Sequence, residues 1–239
     1  MANEESRTAG PATADRGNPN TRTLAATVFD LDGVLTETTE LHYQSWCWLA
    51  DQLGMSHDRR TNDAMRGLGR AESLAVFLGA RAASYSPAEK TELAERKNAH
   101  YLQLVADMTP ADLFPGVRDL ITGLRERGVL TAVASSSRNA DPVIERLGLR
   151  ELFNVIVDAN SAPRSKPDPQ VFLLAAERLG VSPQRCVVIE DAEAGVAAAL
   201  AAGMRVIGVG PTARLAGAHL IVRAIAELNP ARVVGLLPV

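Results

Sequence analysis

Two cysteines among 239 residues, Cys47 and Cys186, are too few for a disulfide framework, and neither has a Cys or His neighbour at metal-binding spacing. Both read as reduced core filler. The four histidines, His42, His57, His100 and His219, are scattered, which argues against a zinc cluster and leaves oxygen as the ligand atom for any metal. Long apolar runs are missing as well: stretches such as Cys186 to Ile189 and Val206 to Val209 are strand-sized, so no membrane span is expected. Basic excess is absent too. Lys+Arg total 25 against 28 Asp+Glu, a formal net charge of -3, which offers nothing to neutralise a phosphate polymer, and no nucleic-acid partner is expected. No internal repeat interrupts the chain. Met1 to Arg22 is rich in Ala, Thr, Asn, Pro and Gly and has no apolar h-region. It reads as a flexible leader rather than a secretion signal, and a cytoplasmic location is expected.

What is present is ordinary globular usage, 46% hydrophobic and 22% charged, enough for one large or two modest cores. Thr23 to Phe29 is β-rich and apolar, then gives way to the polar turn Asp30-Leu31-Asp32-Gly33. Apolar residues recur at helical spacing from Glu40 to about Leu53, and again from Pro87 to Asp107 with Pro87 in the first turn. No strand signal separates these helices, so residues 38 to 108 read as an all-helical cap inserted into something else. After Pro110 strands and helices alternate, which implies parallel strands with crossover helices. The expected helices are Val117 to Arg127, Asp141 to Leu147, Asp168 to Leu179 and Ala194 to Ala202. The expected strands are Val129 to Ala134, Val155 to Val157, Cys186 to Ile189, Arg205 to Val209 and His219 to Ile221. The expected fold class is therefore α/β: a doubly wound, Rossmann-like parallel-sheet core from residues 23–37 and 109–239, with the helical cap at 38–108 and the leader at 1–22.

Ligands of such sheets bind at the carboxyl ends of the strands, so the polar residues that follow each strand matter most. Four clusters stand there: Asp30 with Asp32, Ser135-Ser136-Ser137-Arg138-Asn139, Lys166, and Glu190 with Asp191. Each has a plain reading alone, as an Asp-Gly turn, a helix cap or an acidic helix start. Together they favour chemistry. Up to four carboxylates in one loop region repel one another unless a cation joins them, and an all-oxygen set suits Mg²⁺. The serine run at a strand-to-helix junction offers hydroxyls and backbone N–H groups to an anion, and Lys166 adds a positive charge. A phosphate fits between lysine and metal. A loop-held aspartate could then attack phosphorus while a second carboxylate moves the proton of the alcohol, with Asp30 and Asp32 as the candidates.

The run Val28-Phe29-Asp30-Leu31-Asp32-Gly33-Val34-Leu35-Thr36 resembles the first motif of the haloacid dehalogenase superfamily. Ser135, Lys166-Pro167 and Glu190-Asp191 fall where its other three motifs stand, so the resemblance covers residues 24 to 222. Within the superfamily the chain is similar to the β-phosphoglucomutase family, and the similarity extends into the cap. It is carried there by Thr38, His42 and Trp46, by Arg66-Gly67-Leu68-Gly69-Arg70 with Ser73, by Arg96-Lys97-Asn98, and by Pro110-Ala111-Asp112. The pattern is broken by Gly69, where Ser is expected, and by Arg138, where Lys is usual. Roles follow by resemblance alone. Asp30 is implied as nucleophile and Asp32 as general acid/base, with Asp30, the Asp32 backbone carbonyl, Glu190 and Asp191 around Mg²⁺. Ser135 and Lys166 are implied to grip the transferring phosphoryl group, and Arg70, Ser137, Arg138 and Asn139 the second phosphate, with Ser136 in the same loop. Thr38, His42, Trp46, Ser73 and Lys97 are assigned to the substrate.

The implied reaction interconverts β-D-glucose 1-phosphate and glucose 6-phosphate through an aspartyl-phosphate and glucose 1,6-bisphosphate, which would also serve as activator. The implied partner is a small sugar phosphate, and the chain is expected to act as a monomer. A sugar-phosphate phosphatase of the same fold would share every core residue, since only the acceptor of the phosphoryl group differs. A non-catalytic metabolite sensor is disfavoured because Asp30, Asp32, Lys166 and Asp191 are all present.

Overall fold

The computed structural model describes residues 23–65 and 68–237. The expected leader, and Arg66-Gly67 of the cap motif, lie outside the described residues. Six strands form one sheet: β1 (Ala26–Phe29), β2 (Leu130–Ala134), β3 (Val155–Val157), β4 (Cys186–Glu190), β5 (Arg205–Val209) and β6 (Leu220–Val222). Their order is β3-β2-β1-β4-β5-β6 and every pairing is parallel. All four residues of β1 and all five of β4 are buried, as central strands covered on both faces must be. The register sets Phe29 beside Val133 on one side and Ile189 on the other. The chain leaves β1 towards β2 and β3, then returns to β4 on the opposite flank. That reversal opens a crevice at the carboxyl ends of β1 and β4, where doubly wound sheets bind ligands.

Between β1 and β2 the chain forms α1 (Thr38–Gln52), α2 (Arg59–Asp63), α3 (Arg70–Leu78), α4 (Pro87–Ala106) and α5 (Val117–Arg125). The first four have their own apolar nucleus, with Trp46, Leu49, Leu74, Phe77, Leu78 and Leu93 buried together. Local chemistry fixes their starts: the Glu37 carboxylate accepts from the Thr39 amide, Asp58 caps α2 at Thr61, and Ser86 with Glu89 forms a reciprocal capping box at α4. Tyr101 and Val105 of α4 bury into the sheet's own core, which ties the helical insert down.

The crossover helices are α5, α6 (Ala140–Arg146), α7 (Gln170–Leu179) and α8 (Glu193–Ala201), and α9 (Pro230–Val234) closes the described chain. Leu120, Ile121, Leu124, Val143 and Ile144 cover one face of the sheet. Phe172, Ala175, Ala198 and Ala199 cover the other.

Several boundaries differ from expectation. The first strand begins at Ala26, not Thr23, and the last is Leu220–Val222, not His219–Ile221. The helix expected from Asp168 begins at Gln170, because the Asp168 carboxylate accepts from the Gln170 amide as a turn outside the helix. The helix expected to reach Arg127 stops at Arg125, ahead of Gly128 at φ 75°. The strand expected to end at Ile189 takes in Glu190, which aims that carboxylate from a strand rather than a loop. The helices α2, α3 and α9 lie where no helix was expected. None of the helices among the described residues is long and apolar enough to cross a membrane.

Candidate active site

Lys166 organises the carboxyl end of the sheet. Its ammonium is buried and donates to Asp30 Oδ1 at 2.6 Å, Glu190 Oε1 at 2.7 Å and the Ala134 carbonyl at 3.2 Å, so all three protons are used. Asp30 leaves the end of β1 with its amide donating to Ile189 O at 2.9 Å, which locks it beside β4. Glu190 is fully committed. Its Oε2 accepts from the Asp191 and Ala192 amides at 2.6 and 2.8 Å. Two glycines make room: a Cβ on Gly195 would collide with the Glu190 carboxylate, and one on Gly33, at φ 87°, with the Asp191 carboxylate.

Asp30, Glu190 and Asp191 each offer a carboxylate oxygen within 4.8 Å of the others. Three carboxylates gather beside the Lys166 ammonium, Asp30 and Glu190 buried and Asp191 half-buried. Burial raises the Asp30 carboxyl well above its ordinary value, Lys166 opposes this, and Glu190, Asp32 and Asp191 push it further up. Burial also works against the Lys166 charge, yet Asp30 and Glu190 outweigh it and hold the ammonium protonated beyond the usual lysine range. Three hard oxygen donors this close together fit a divalent cation such as Mg²⁺.

Asp32 is the next carboxylate along. Burial lifts it to about 6, against the pull of Lys166, and the Thr38 hydroxyl donates to its Oδ1. A carboxyl near 6 can exchange its proton close to neutral pH. After β2 the serine run folds on itself, with Ser135 Oγ accepting from the Ser137 amide at 3.0 Å and Ser137 Oγ from the Asn139 amide at 3.1 Å. The Ser136 hydroxyl, on the wall of the crevice, is buried with no hydrogen-bond partner. Such a group is costly to leave unpaired and suits an incoming acceptor.

The insert supplies the facing wall. Arg70, the first residue of α3, donates to Asn98 Oδ1 at 2.8 Å, and the same oxygen accepts from Asn139 of the sheet domain's loop at 2.7 Å. Asn98 therefore joins insert to core. Burial, and then the nearby Arg138 guanidinium, lower the Arg70 value, so two cations share this part of the wall. Deeper in, Lys97 Nζ lies 2.7 Å from His42 Nδ1 and about 5 Å from the rings of both Trp46 and Tyr101. Burial, aided by Arg70, drops Lys97 to about 7, and burial with Lys97 keeps His42 neutral, so His42 Nδ1 accepts from the ammonium.

One cavity brings together Asp30, Asp32, His42, Trp46, Arg70 and Ser73, and with them Lys97, the loop Ser136–Asn139, Lys166, Glu190 and Asp191. Ser135 and Thr38 stand behind its wall, fully buried, Ser135 holding the Ser137 amide and Thr38 holding Asp32. Trp46 stacks on Phe77 at 4.8 Å and has Lys97 Nζ 4.9 Å from its ring centre. Trp48 points elsewhere, stacked on His100. Sequence reasoning gave no role to Asn98 or Leu68 and missed Asn62 and Met65. Asn98 stands next to Lys97 in the same motif; Asn62 carries no signal, because a polar residue in a short polar helix looks like surface.

A parallel sheet whose crevice gathers a strand-end aspartate, a lysine paired to it and an acidic trio defines a phosphoryl-transfer fold with a helical insert. The family model described as haloacid dehalogenase-like hydrolase matches residues 24–203, and the chain belongs to that family. It is 43% identical over 208 residues to β-phosphoglucomutase of Bacillus subtilis, which covers 86% of this chain and 92% of that one. The crystal structure of β-phosphoglucomutase from Clostridium difficile superposes with a TM-score of 0.86 at 36% identity, covering 89% of this chain and 96% of the other. Hexitol phosphatase B of Escherichia coli is 34% identical over 190 residues, covering 79% of this chain and 84% of that one.

Proposed function

We propose that the chain is a β-phosphoglucomutase, interconverting β-D-glucose 1-phosphate and glucose 6-phosphate. The observation that carries this reading is the pair Arg70 and Arg138 on the wall of the cavity that also holds Lys166. Lys166 is committed to Asp30 and Glu190, so the two arginines form a second anion site. A phosphatase needs one phosphate site; a mutase working through glucose 1,6-bisphosphate needs two.

Asp30 is the nucleophile: it attacks a phosphorus of glucose 1,6-bisphosphate, the P–O bond to the sugar breaks to release a sugar monophosphate, and the aspartyl-phosphate then passes its phosphoryl group to the free hydroxyl of a sugar monophosphate, with Lys166 neutralising the transferring group. Asp32, poised near 6, takes the proton of the attacking sugar hydroxyl and returns one to the leaving oxygen. Thr38 fixes the Asp32 carboxylate, and Ser135 shapes the loop that presents Ser136 and Ser137. Asp30, Glu190 and Asp191, with the Asp32 carbonyl, would hold Mg²⁺, which supplies charge neutralisation for both reactants. Arg70, Arg138 and Asn139 grip the distal phosphate, while Ser73, His42 and Lys97 face the sugar. The core is residues 23–37 and 109–239 and the cap is 38–108; cap and core joined through Asn98 exclude water from the phosphorylated aspartate. The enzyme acts as a monomer in the cytoplasm on a small-molecule substrate.

Arg70→Ala tests the second anion site. Mutase turnover is expected to fall at least about tenfold more than hydrolysis of acetyl phosphate, which has no second phosphate to hold. Equal losses would contradict the reading.

A further inference from the structure

The insert wall of the cavity is mostly accounted for: Lys97 is tied to His42, and Arg70 to Asn98. One buried amide is not. Asn62, in α2, is 7% exposed and lines the cavity where its neighbours Met65 and Leu68 are apolar. Its backbone is satisfied locally, the amide donating to Asp58 O at 3.0 Å and the carbonyl accepting from Met65 at 3.0 Å. A carboxamide sunk to this depth at an apolar wall costs free energy unless something answers its hydrogen-bonding groups.

Half of the answer is His57. Its side chain lies within reach of that of Asn62, and its ring is walled in by Tyr43, Trp46 and Phe77 at centroid distances of 5.7, 6.4 and 5.5 Å. Nε2 is buried with no partner. With no acceptor at Nε2, the proton of the neutral ring belongs on Nδ1, the nitrogen able to donate to the Asn62 carbonyl oxygen. That orients the amide. The two N–H donors of Asn62 are then the end directed away from His57.

We propose that Asn62 is a specificity-determining residue, donating to a ring hydroxyl of the sugar, and that His57 is the positioning residue that fixes its amide. The assignment rests on the sugar-phosphate reading above and extends it to one hydroxyl. Among the described residues of this stretch of wall, Asn62 offers a polar contact beside the apolar Met65 and Leu68.

The test uses the full-length enzyme with Mg²⁺, glucose 6-phosphate and its singly deoxygenated ring analogues, with acetyl phosphate as a substrate lacking a sugar. Phosphorus NMR scores isomerised sugar phosphate and orthophosphate separately. For Asn62→Ala, kcat/KM on the parent sugar is expected to fall roughly three- to tenfold, mainly through KM, and distinctly less on acetyl phosphate. One deoxy analogue should be penalised by the same factor in the native enzyme and carry no further penalty in the variant. His57→Phe, which keeps a ring in the aromatic box, should give a smaller loss on the same analogue pattern. Asn62→Asp, equal in size, should match Asn62→Ala on that pattern even if the alanine variant folds poorly. Equal losses on every analogue and on acetyl phosphate would overturn the assignment and make Asn62 a packing residue. Orthophosphate in place of isomerised sugar would overturn the mutase reading and leave this one standing if the analogue pattern holds.

Discussion

Lys97 carries the clearest titration signature of any single side chain in the site. Burial takes its value from 10.5 to about 7, so the folded protein releases a proton there that the unfolded chain keeps until the ordinary lysine range. Below about 7 both states are protonated and the cost of the buried ammonium is fully present. From pH 7 to about 10 the unfolded state binds more protons, and stability should rise with pH on this account. Lys97→Met, which keeps length without charge, should remove that rise; urea melts of both proteins at pH 7 and pH 9.5 measure it. Identical pH slopes would show that the Lys97 ammonium is not desolvated. Residue chemistry of this kind was only partly legible in the sequence. Asp30, Glu190 and Asp191 stood out because they stand at strand ends, and Lys166 because it precedes a crossover helix, whereas the depth of Lys97 and Asn62 depends on how the insert folds over the sheet.

At the scale of elements, the strands and crossover helices were readable because strand-sized apolar runs alternate with helical patterns, and the central strands β1 and β4 are buried throughout. What escaped was short or capped from outside. The five residues of α2 have no apolar stripe, and its start rests on the Asp58 cap. By contrast α3 does show Leu74, Phe77 and Leu78 at helical spacing, but a start at Gly69, with no side-chain cap, hides its beginning. The same scale holds the glycine that lets α8 pack against β4. Gly195 sits against the Glu190 carboxylate, where a methyl group has no room. Gly195→Ala is expected to cost about 1–3 kcal/mol, lowering Tm by roughly 2–4 °C per kcal/mol for a chain of this size. It should also weaken Mg²⁺ binding, since Glu190 must move to make space; calorimetric titration with the metal and a thermal melt read both effects. Unchanged metal affinity would mean that Glu190 is not a ligand.

Across the whole molecule, a parallel sheet provides one charged pole and a helical insert completes the other. The sheet crevice gathers Asp30, Glu190 and Asp191 around Lys166, and the insert brings Arg70 towards Arg138 through the Asn98 bridge. The core motifs serve mutases and phosphatases of the family alike, so the choice between them lies in whether the insert seats a second phosphate and keeps water from the phosphorylated aspartate. Phosphorus NMR of the purified protein with Mg²⁺, β-glucose 1-phosphate and a catalytic amount of glucose 1,6-bisphosphate asks that question directly. Glucose 6-phosphate should accumulate with little orthophosphate; orthophosphate released in step with substrate loss would make the protein a phosphatase instead.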